Sequence, residues 1–493
     1  MADQVCDAHI AAGRSDSTAI IDLTTRARRD VSFADLQRLS FRVQSALLSL
    51  GVVHGDRIGV LLSQSPFCAA AHIAIWRIGA ISVPLFKLFA HEALASRIED
   101  SGLQIAVTDD TGIDMLSAFS VATVTAADLP SEAVASVSAD TGPETPAVLI
   151  YTSGTTGKPK GALHGHRMLV GHMPGVIASH NGLGEMDDCL WTPADWAWIG
   201  GLFDVLMPGL ALAVPVVASR AEKFSGQAAG DVCRNAGVRN AFLPPTALRM
   251  LKAGGHRIAG LRSVASGGEP LGAEVLAWGQ QAFGLTINEF YGQTECNMVV
   301  SANARDFDTP TGAIGKPVTG FDVAVVDTNG QPTDAEGDIA IAAGAPSMML
   351  GYWQNAPATA AKYRGKWMLT GDRGRARDGF IWFVGRDDDV ITSAGYRIGP
   401  AEVEDCLLTH PAVATAGVVG KPDPLRTEIV KAYVVLKPRA EATVQTLQDH
   451  VKARLASHCY PREVAFVEAL PMTVTGKIRR KELRARAVAE AHR

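Results

Sequence analysis

The stretch YTSGTTGKPKG at 151–161 carries residue types and spacing suited to holding a phosphate. Glycines at 154, 157 and 161 let the backbone come close to a ligand. The hydroxyls of Thr152, Ser153, Thr155 and Thr156 can donate to phosphate oxygens, and Lys158 and Lys160 add positive charge. The preceding AVLIY at 147–151 reads as a short buried strand, so the loop begins where a strand ends, the usual place for a phosphate cradle. The string departs from G-x-x-x-x-G-K-[ST], which weighs against that class of nucleotide-binding loop. Taken alone, the same composition also suits a flexible surface turn.

Elements around this loop must position it. Up to about residue 342 the chain alternates apolar strand-like runs with amphipathic helical stretches, for example RIGVLL at 57–62 followed by a helical 69–78. Such alternation favours α/β layers with largely parallel sheets. FDVAVV at 321–326 and EGDIAIAA at 336–343 change the texture to short β segments with glycine turns, a small β-rich lobe. FIWFV at 380–384 runs into RDDD at 386–389, and beyond it the runs 413–420, 431–437 and 444–456 read as a compact β-α-β unit. The expected fold is therefore α/β. Residues 1–385 form a large N-terminal domain of layered α/β subdomains plus the β-rich lobe, 386–389 a boundary, and 390–493 a small α+β domain. RDDD also reads locally as a solvated turn.

Bulk composition limits the alternatives. With 493 residues the chain is long enough for about two or three domains. A net charge of −5 provides no basic field for nucleic acid or an anionic membrane. The apolar runs 69–88 and 202–218 are broken by His72, Arg77 and Lys87 in one and by Pro208 and Pro215 in the other, so neither reads as a membrane span. The first 22 residues carry Asp3, Asp7, Asp16 and Asp22 and no basic run, unlike a secretory leader. Seven scattered cysteines without a C-x-x-C pair fit reduced thiols, and the expected location is cytoplasmic.

The 151–161 string resembles the signature of the adenylate-forming superfamily, which includes acyl-CoA synthetases, luciferases and peptide-synthetase adenylation domains. The resemblance extends from about Phe33 onward and is nearest in texture to medium-chain acyl-CoA synthetases. It implies an ATP-dependent acid:CoA ligase that uses Mg²⁺ and coenzyme A and forms an acyl-adenylate. By the same resemblance Thr152, Ser153, Gly154, Thr155, Thr156, Gly157 and Lys158 face the nucleotide phosphates. SGGEPL at 266–271 resembles the segment lining adenine, with Gly268, Glu269 and Pro270 in the nucleotide site. FYGQTE at 290–295 resembles the next signature: Tyr291 stacks on adenine, Thr294 touches phosphate and Glu295 helps hold magnesium, with Glu289 and Gly292 beside them. Aromatic faces suit bases, and hard carboxylates suit Mg²⁺.

Asp372, in Thr370-Gly371-Asp372, matches an aspartate that accepts from both ribose hydroxyls, and Arg386 matches an arginine directed at the ribose. Asp388 falls where the family keeps the hinge of a mobile C-terminal domain. SAGYRIGP at 393–400 resembles the loop near the pantetheine tunnel, where Gly395 leaves room for CoA and Arg397 faces phosphate. PMTVTGK at 471–477 resembles the motif whose lysine, here Lys477, bridges the acid carboxylate and the α-phosphate. Its P-x-x-x-x-G-K spacing also resembles sites modified by protein acetyltransferases.

WTPADWAWIGG at 191–201 is similar to an acyl-pocket segment, with Trp198 the candidate wall; a tryptophan buried in the core is the other reading. Acetate-specialised relatives place a tryptophan where this chain has Gly292, which suggests an open pocket floor and a short-to-medium, branched or aromatic acid. His164 and His166 follow the phosphate loop and read either as approaching the acyl end or as structural, the structural reading being favoured. Three rival readings remain: an adenylation enzyme loading a carrier protein, a luciferase-type oxygenase and a catalytically silent nucleotide binder.

Overall fold

The computed structural model describes the chain except residues 26, 134–137, 153–158, 220–223, 387–388, 394–395, 424–425, 456–458, 474–475 and 492–493. Among the described residues, three sheets organise the fold.

One sheet has seven strands. Arg57–Leu61, Ile81–Pro84, Ile105–Thr108, Ala122–Val124 and Pro146–Thr152 run parallel, while Lys160–Gly165 and Gly351–Tyr352 complete it antiparallel. A second sheet has fourteen strands. Its parallel half joins Ile287–Gln293, Ser263–Gly267, Asn240–Phe242, Leu190–Trp191, Val216–Ala218 and Thr18–Asp22. Past Ile287–Gln293 the direction alternates through Asn297–Ser301 and Ala313–Pro317 into the β-rich lobe formed by Phe380–Arg386, Trp367–Arg377, Gly337–Ala342 and Val323–Val326.

The two large sheets share one apolar core, in which Val60, Trp76, Phe203, Val300 and Ile339 all belong to a single cluster. The third, five-stranded sheet has a separate core. Ile391, Val403, Val418, Val434 and Leu447 pack together between strands Val413–Asp423 and Thr427–Leu436 and helices Pro400–Leu408 and Val444–Arg454. The strand ending at Arg386 belongs to the lobe and the strand beginning at Ile391 to the third sheet, so the change of sheet falls within 387–390.

Helix Pro66–Ile78 illustrates how local sequence produces these layers. The Ser65 hydroxyl accepts from the Cys68 N–H at 3.1 Å, Pro66 opens the first turn, and Gly79, at φ +78°, closes the helix in the left-handed region. These caps extend the helix three residues upstream of the apolar pattern at 69–78. Nearly every residue in it is buried, so it reads as apolar all round rather than amphipathic, as expected for a helix enclosed between sheets. Its Trp76 Nε1 donates to the Ala147 carbonyl at 2.9 Å, tying the helix to the strand that leads into the 153–158 loop.

All seven cysteines are free and buried, and no helix among the described residues is long and apolar enough to cross a membrane. Trp76→Phe removes the bond to Ala147 and should cost about 1–2 kcal/mol. The expected result is a lower thermal unfolding midpoint; an unchanged midpoint would mean that the bond contributes nothing.

Candidate active site

Asp372 and Arg386 come together through strand register. Trp367–Arg377 and Phe380–Arg386 run antiparallel with Asp372 directly opposite Arg386. Tyr291, near the end of strand Ile287–Gln293, donates its phenol to Asp372 Oδ2 at 2.6 Å. Burial, followed by the Asp372 carboxylate, pushes the Tyr291 phenol well above its ordinary value, so it remains a neutral donor.

Gly268 follows the strand Ser263–Gly267 and takes a left-handed φ of +97°. Side chains rarely adopt that conformation, which explains a glycine here. Next to it, Glu269 pairs with Arg249 at 3.1 Å, and the same guanidinium donates to the Pro270 carbonyl at 3.0 Å. Glu289 accepts from the Leu271 N–H at 3.0 Å, and burial raises its carboxyl to about 7. Arg249 supports this segment without any local motif to mark it.

Lys477 belongs to the third sheet's domain but lies in the same cleft. Its ammonium is 4.0 Å from the point a Cβ on Gly268 would occupy. Burial, the largest influence, holds the ammonium below the ordinary lysine value; Glu269 and Asp372 pull it upward and Arg386 pushes it down. The residue still presents exposed surface, so the cleft is crowded by protein yet open to water. The loop carrying it is closed by Thr473 N–H to the Lys477 carbonyl at 2.7 Å and Lys477 N–H to Thr473 Oγ1 at 2.9 Å. A Cβ on the neighbouring Gly476 would lie 3.0 Å from Thr246, at the start of helix Pro245–Ala253.

Thr294, Glu295 and Cys296 form the turn between strands Ile287–Gln293 and Asn297–Ser301. Glu295 is buried, and its Oε1 accepts from the Tyr352 phenol at 2.5 Å. The Lys160 ammonium stands 5.2 Å from the Tyr352 ring centroid, linking the base of the phosphate loop to Glu295. Tyr352 went unmarked in the sequence because it lies 57 residues from its partner. A single carboxylate suits Mg²⁺, which takes its remaining ligands from phosphates and water. No cluster of three or more His, Cys, Asp or Glu able to hold a metal occurs among the described residues. The Glu295 carboxylate is a hard oxygen donor of the kind that Mg²⁺ takes.

Thr152 ends the strand leading into the loop and pairs across it with Lys160. Ser153, Gly154, Thr155, Thr156, Gly157 and Lys158 lie outside the described residues, as do Gly395 and Asp388. Arg397 sits on strand Tyr396–Ile398 opposite Thr392. His164 is fully buried, which lowers its imidazole to about 4, and His166 Nδ1 meets the Met1 amine at 3.2 Å. Both arrangements agree with structural roles.

Trp198 is half-buried at the start of the helical turn Ile199–Gly201. Gly292 requires a correction. A Cβ there would lie 1.6 Å from the Asn297 carbonyl oxygen, at the register shift between Tyr291 and Gly292. The position is closed by backbone, and a tryptophan cannot be added to it without moving residue 297.

With this geometry in place, comparison with known proteins identifies the family. The AMP-binding enzyme profile matches residues 8–353, and the AMP-binding enzyme C-terminal domain matches residues 402–477. The chain belongs to the AMP-binding enzyme family. It is 33% identical to an acetyl-coenzyme A synthetase of Bacillus subtilis, over 98% of this chain and 89% of that protein. A crystal structure of a Brucella canis acyl-CoA synthetase shares 34% identity at a TM-score of 0.76, covering 100% of this chain and 94% of its own. A crystal structure of an anthranilate CoA ligase with anthranoyl-AMP shares 25% identity at a TM-score of 0.91, covering 100% and 98%. This AMP-binding enzyme is accordingly an acyl-CoA synthetase of the adenylate-forming superfamily.

Removing the donor to Glu295 should matter if that carboxylate works in the site. Tyr352→Phe should lower kcat/KM for acid-dependent pyrophosphate release about tenfold, the scale of one hydrogen bond to a charged group. An unchanged value would remove Tyr352 from the site.

Proposed function

We propose that this chain performs ATP-dependent acid:CoA ligation in a cleft where Lys477 neutralises the reacting anions, acting on a short-to-medium-chain, branched or aromatic acid. The approach of the Lys477 ammonium to Gly268, among Glu269, Asp372 and Arg386, carries this reading.

The chemistry explains why a cation must be there. A carboxylate is a poor electrophile because both oxygens share its charge. Its attack on the α-phosphate of ATP expels pyrophosphate and turns one oxygen into part of a leaving group. Two anions must meet for that bond to form. In this reading Lys477 bridges carboxylate and α-phosphate, and the 152–158 loop with Thr294 donates to phosphate oxygens. Glu295 would hold Mg²⁺, which supplies charge neutralisation at the phosphates. Tyr291 offers its ring to adenine, Gly268, Glu269, Pro270, Glu289 and Gly292 border the base, and Asp372 with Arg386 takes the ribose. Arg397 faces phosphate while the C-terminal domain is closed.

The second half-reaction needs Lys477 to leave and a thiol to enter. The lysine's own domain supports such a movement: helix Arg480–Ala491 directly follows it, with Arg480 paired to Glu404 and Arg484 3.2 Å from Asp389. Rotation of residues 390–493 about 386–389, with Asp388 as the hinge, would carry the lysine out and bring Gly395 to the CoA channel. The anthranilate CoA ligase supports the aromatic end of the acid range. Seven free buried cysteines support a reducing compartment, and we place the protein in the cytoplasm. Acetylation of Lys477 by a protein acetyltransferase would delete the charge required by the first step.

Lys477→Ala should reduce acyl-adenylate formation by at least a few hundred-fold, the scale of losing one preorganised charge-stabilising group. Thioester formation from a preformed acyl-adenylate and free CoA should be largely spared. Single-turnover assays of each half-reaction check this, and equal loss of both would show that Lys477 is not the bridging cation.

A further inference from the structure

We propose that Asp405 is a positioning residue for Lys477: its carboxyl seats the C-terminal domain against the turn at Gly272 and so sets the lysine in the cleft for adenylate formation. This deepens the ligase reading and rests on it.

Val403, Cys406 and Leu407 of helix Pro400–Leu408 belong to the core of the third sheet's domain. Asp405, half-buried on the same helix, lies outside that cluster and meets the N-terminal framework instead. A Cβ on Gly272 would lie 3.0 Å from Asp405 Oδ1 and 3.6 Å from Oδ2, so a larger residue at 272 would occupy the space the carboxyl takes. Gly272, at φ +82°, is the N-cap of helix Ala273–Phe283. Having no side chain, it cannot cap that helix itself, and a carboxylate brought to a helix N-terminus is favourably placed.

The same piece of framework receives the lysine. The Lys477 ammonium is 4.0 Å from the Cβ point of Gly268, in the segment that ends at Gly272. Gly476 meets Thr246 at the start of helix Pro245–Ala253, and Arg249 of that helix braces the segment through Glu269 at 3.1 Å and the Pro270 carbonyl at 3.0 Å. Within the C-terminal domain the two groups are tied as well. Glu404, next to Asp405, pairs with Arg480 and accepts from the Val418 N–H at 2.7 Å, and Arg480 follows Lys477 by three residues. Lys477 and Gly476 share one loop, so their contacts fix a point. Asp405, on a separate helix, adds the orientation.

Seating a carboxyl here has a cost that suits a reversible contact. Burial, the largest influence, raises the Asp405 carboxyl to about 6; Arg249 and Arg480 draw it down and Glu402 pushes it up, as Asp405 in turn does to Glu289. Hydration lost on docking is regained when the domain turns away. The contact therefore specifies the orientation without making it permanent.

The test uses the full chain with ATP, Mg²⁺, CoA and either benzoate or hexanoate. In a Gly272→Cys/Asp405→Cys double variant, mild oxidation should form a disulfide detectable by mass spectrometry, since the seven native thiols are buried. The cross-linked form should retain acyl-adenylate formation, while thioester formation from a preformed acyl-adenylate falls about tenfold or more and recovers on reduction. Asp405→Lys sets a cation against Arg249 and the helix N-terminus. It should lower acyl-adenylate formation about tenfold and spare thioester formation, whereas Asp405→Asn should keep most of the activity in both. A cysteine pair that never cross-links overturns the docking, whatever the activity. Equal loss of both half-reactions in Asp405→Lys, or loss of neither, overturns the positioning role. If the unaltered chain releases no pyrophosphate with any acid, the ligase reading itself fails, while the cross-link still reports the contact.

Discussion

Bringing a carboxylate up to a triphosphate means overcoming repulsion between like charges, and in the reaction we propose Lys477 is the cation that does this. Lys477 is already partly stripped of water in the cleft, which is why its ammonium sits below the ordinary lysine value. Desolvation of a lone cation is unfavourable, but it strengthens the attraction once anions arrive. Glu269 and Asp372 moderate the cost by drawing the ammonium's affinity for its proton back upward. In the proposed reaction such a charge would be held in readiness, with limited reorganisation needed when substrate binds.

The proposed requirement is matched by the separate cores of the molecule. The two large sheets share one core and present Gly268, Tyr291, Glu295 and Asp372 from a common framework. The third sheet has a core of its own, and Lys477 comes from that side. A cation needed for one half-reaction and obstructive in the next is best carried on a body that packs independently. The contacts between the bodies are mixed: a Cβ on Gly385 would lie 3.3 Å from the Val390 side chain and 3.5 Å from Pro400, while others are polar. A Cβ on Gly272 would meet Asp405 Oδ1 at 3.0 Å, and burial raises the Asp405 carboxyl to about 6. Polar contacts of this sort release more readily than a continuous apolar interface.

Several site residues owe their positions to partners that have no catalytic signature. Arg249 anchors Glu269 and Pro270, and Tyr352 connects Glu295 to Lys160 beneath the phosphate loop. Trp76 supports the strand that enters that loop. Gly292 shows the same dependence in reverse: it looked like an opening in the pocket, yet the neighbouring backbone occupies the space that its missing side chain leaves.

Much of this protein was legible from its residues in order. The YTSGTTGKPKG, SGGEPL, FYGQTE and PMTVTGK strings, the α/β alternation, the β-rich lobe and the small terminal unit are local patterns, and local patterns survive in a linear reading. Strands Arg57–Leu61 and Pro146–Thr152 lie where their apolar runs predict, because a strand buried between layers needs a continuous apolar stretch. What tertiary structure alone decided is which distant groups meet. Tyr352 reaches Glu295 across 57 residues and Asn297 reaches Asp204 across 93, and the Gly292 cleft is closed by a one-residue shift in strand register. Such meetings are set by the packing of whole sheets and by pairing register, energies summed over many residues and carried by no single motif.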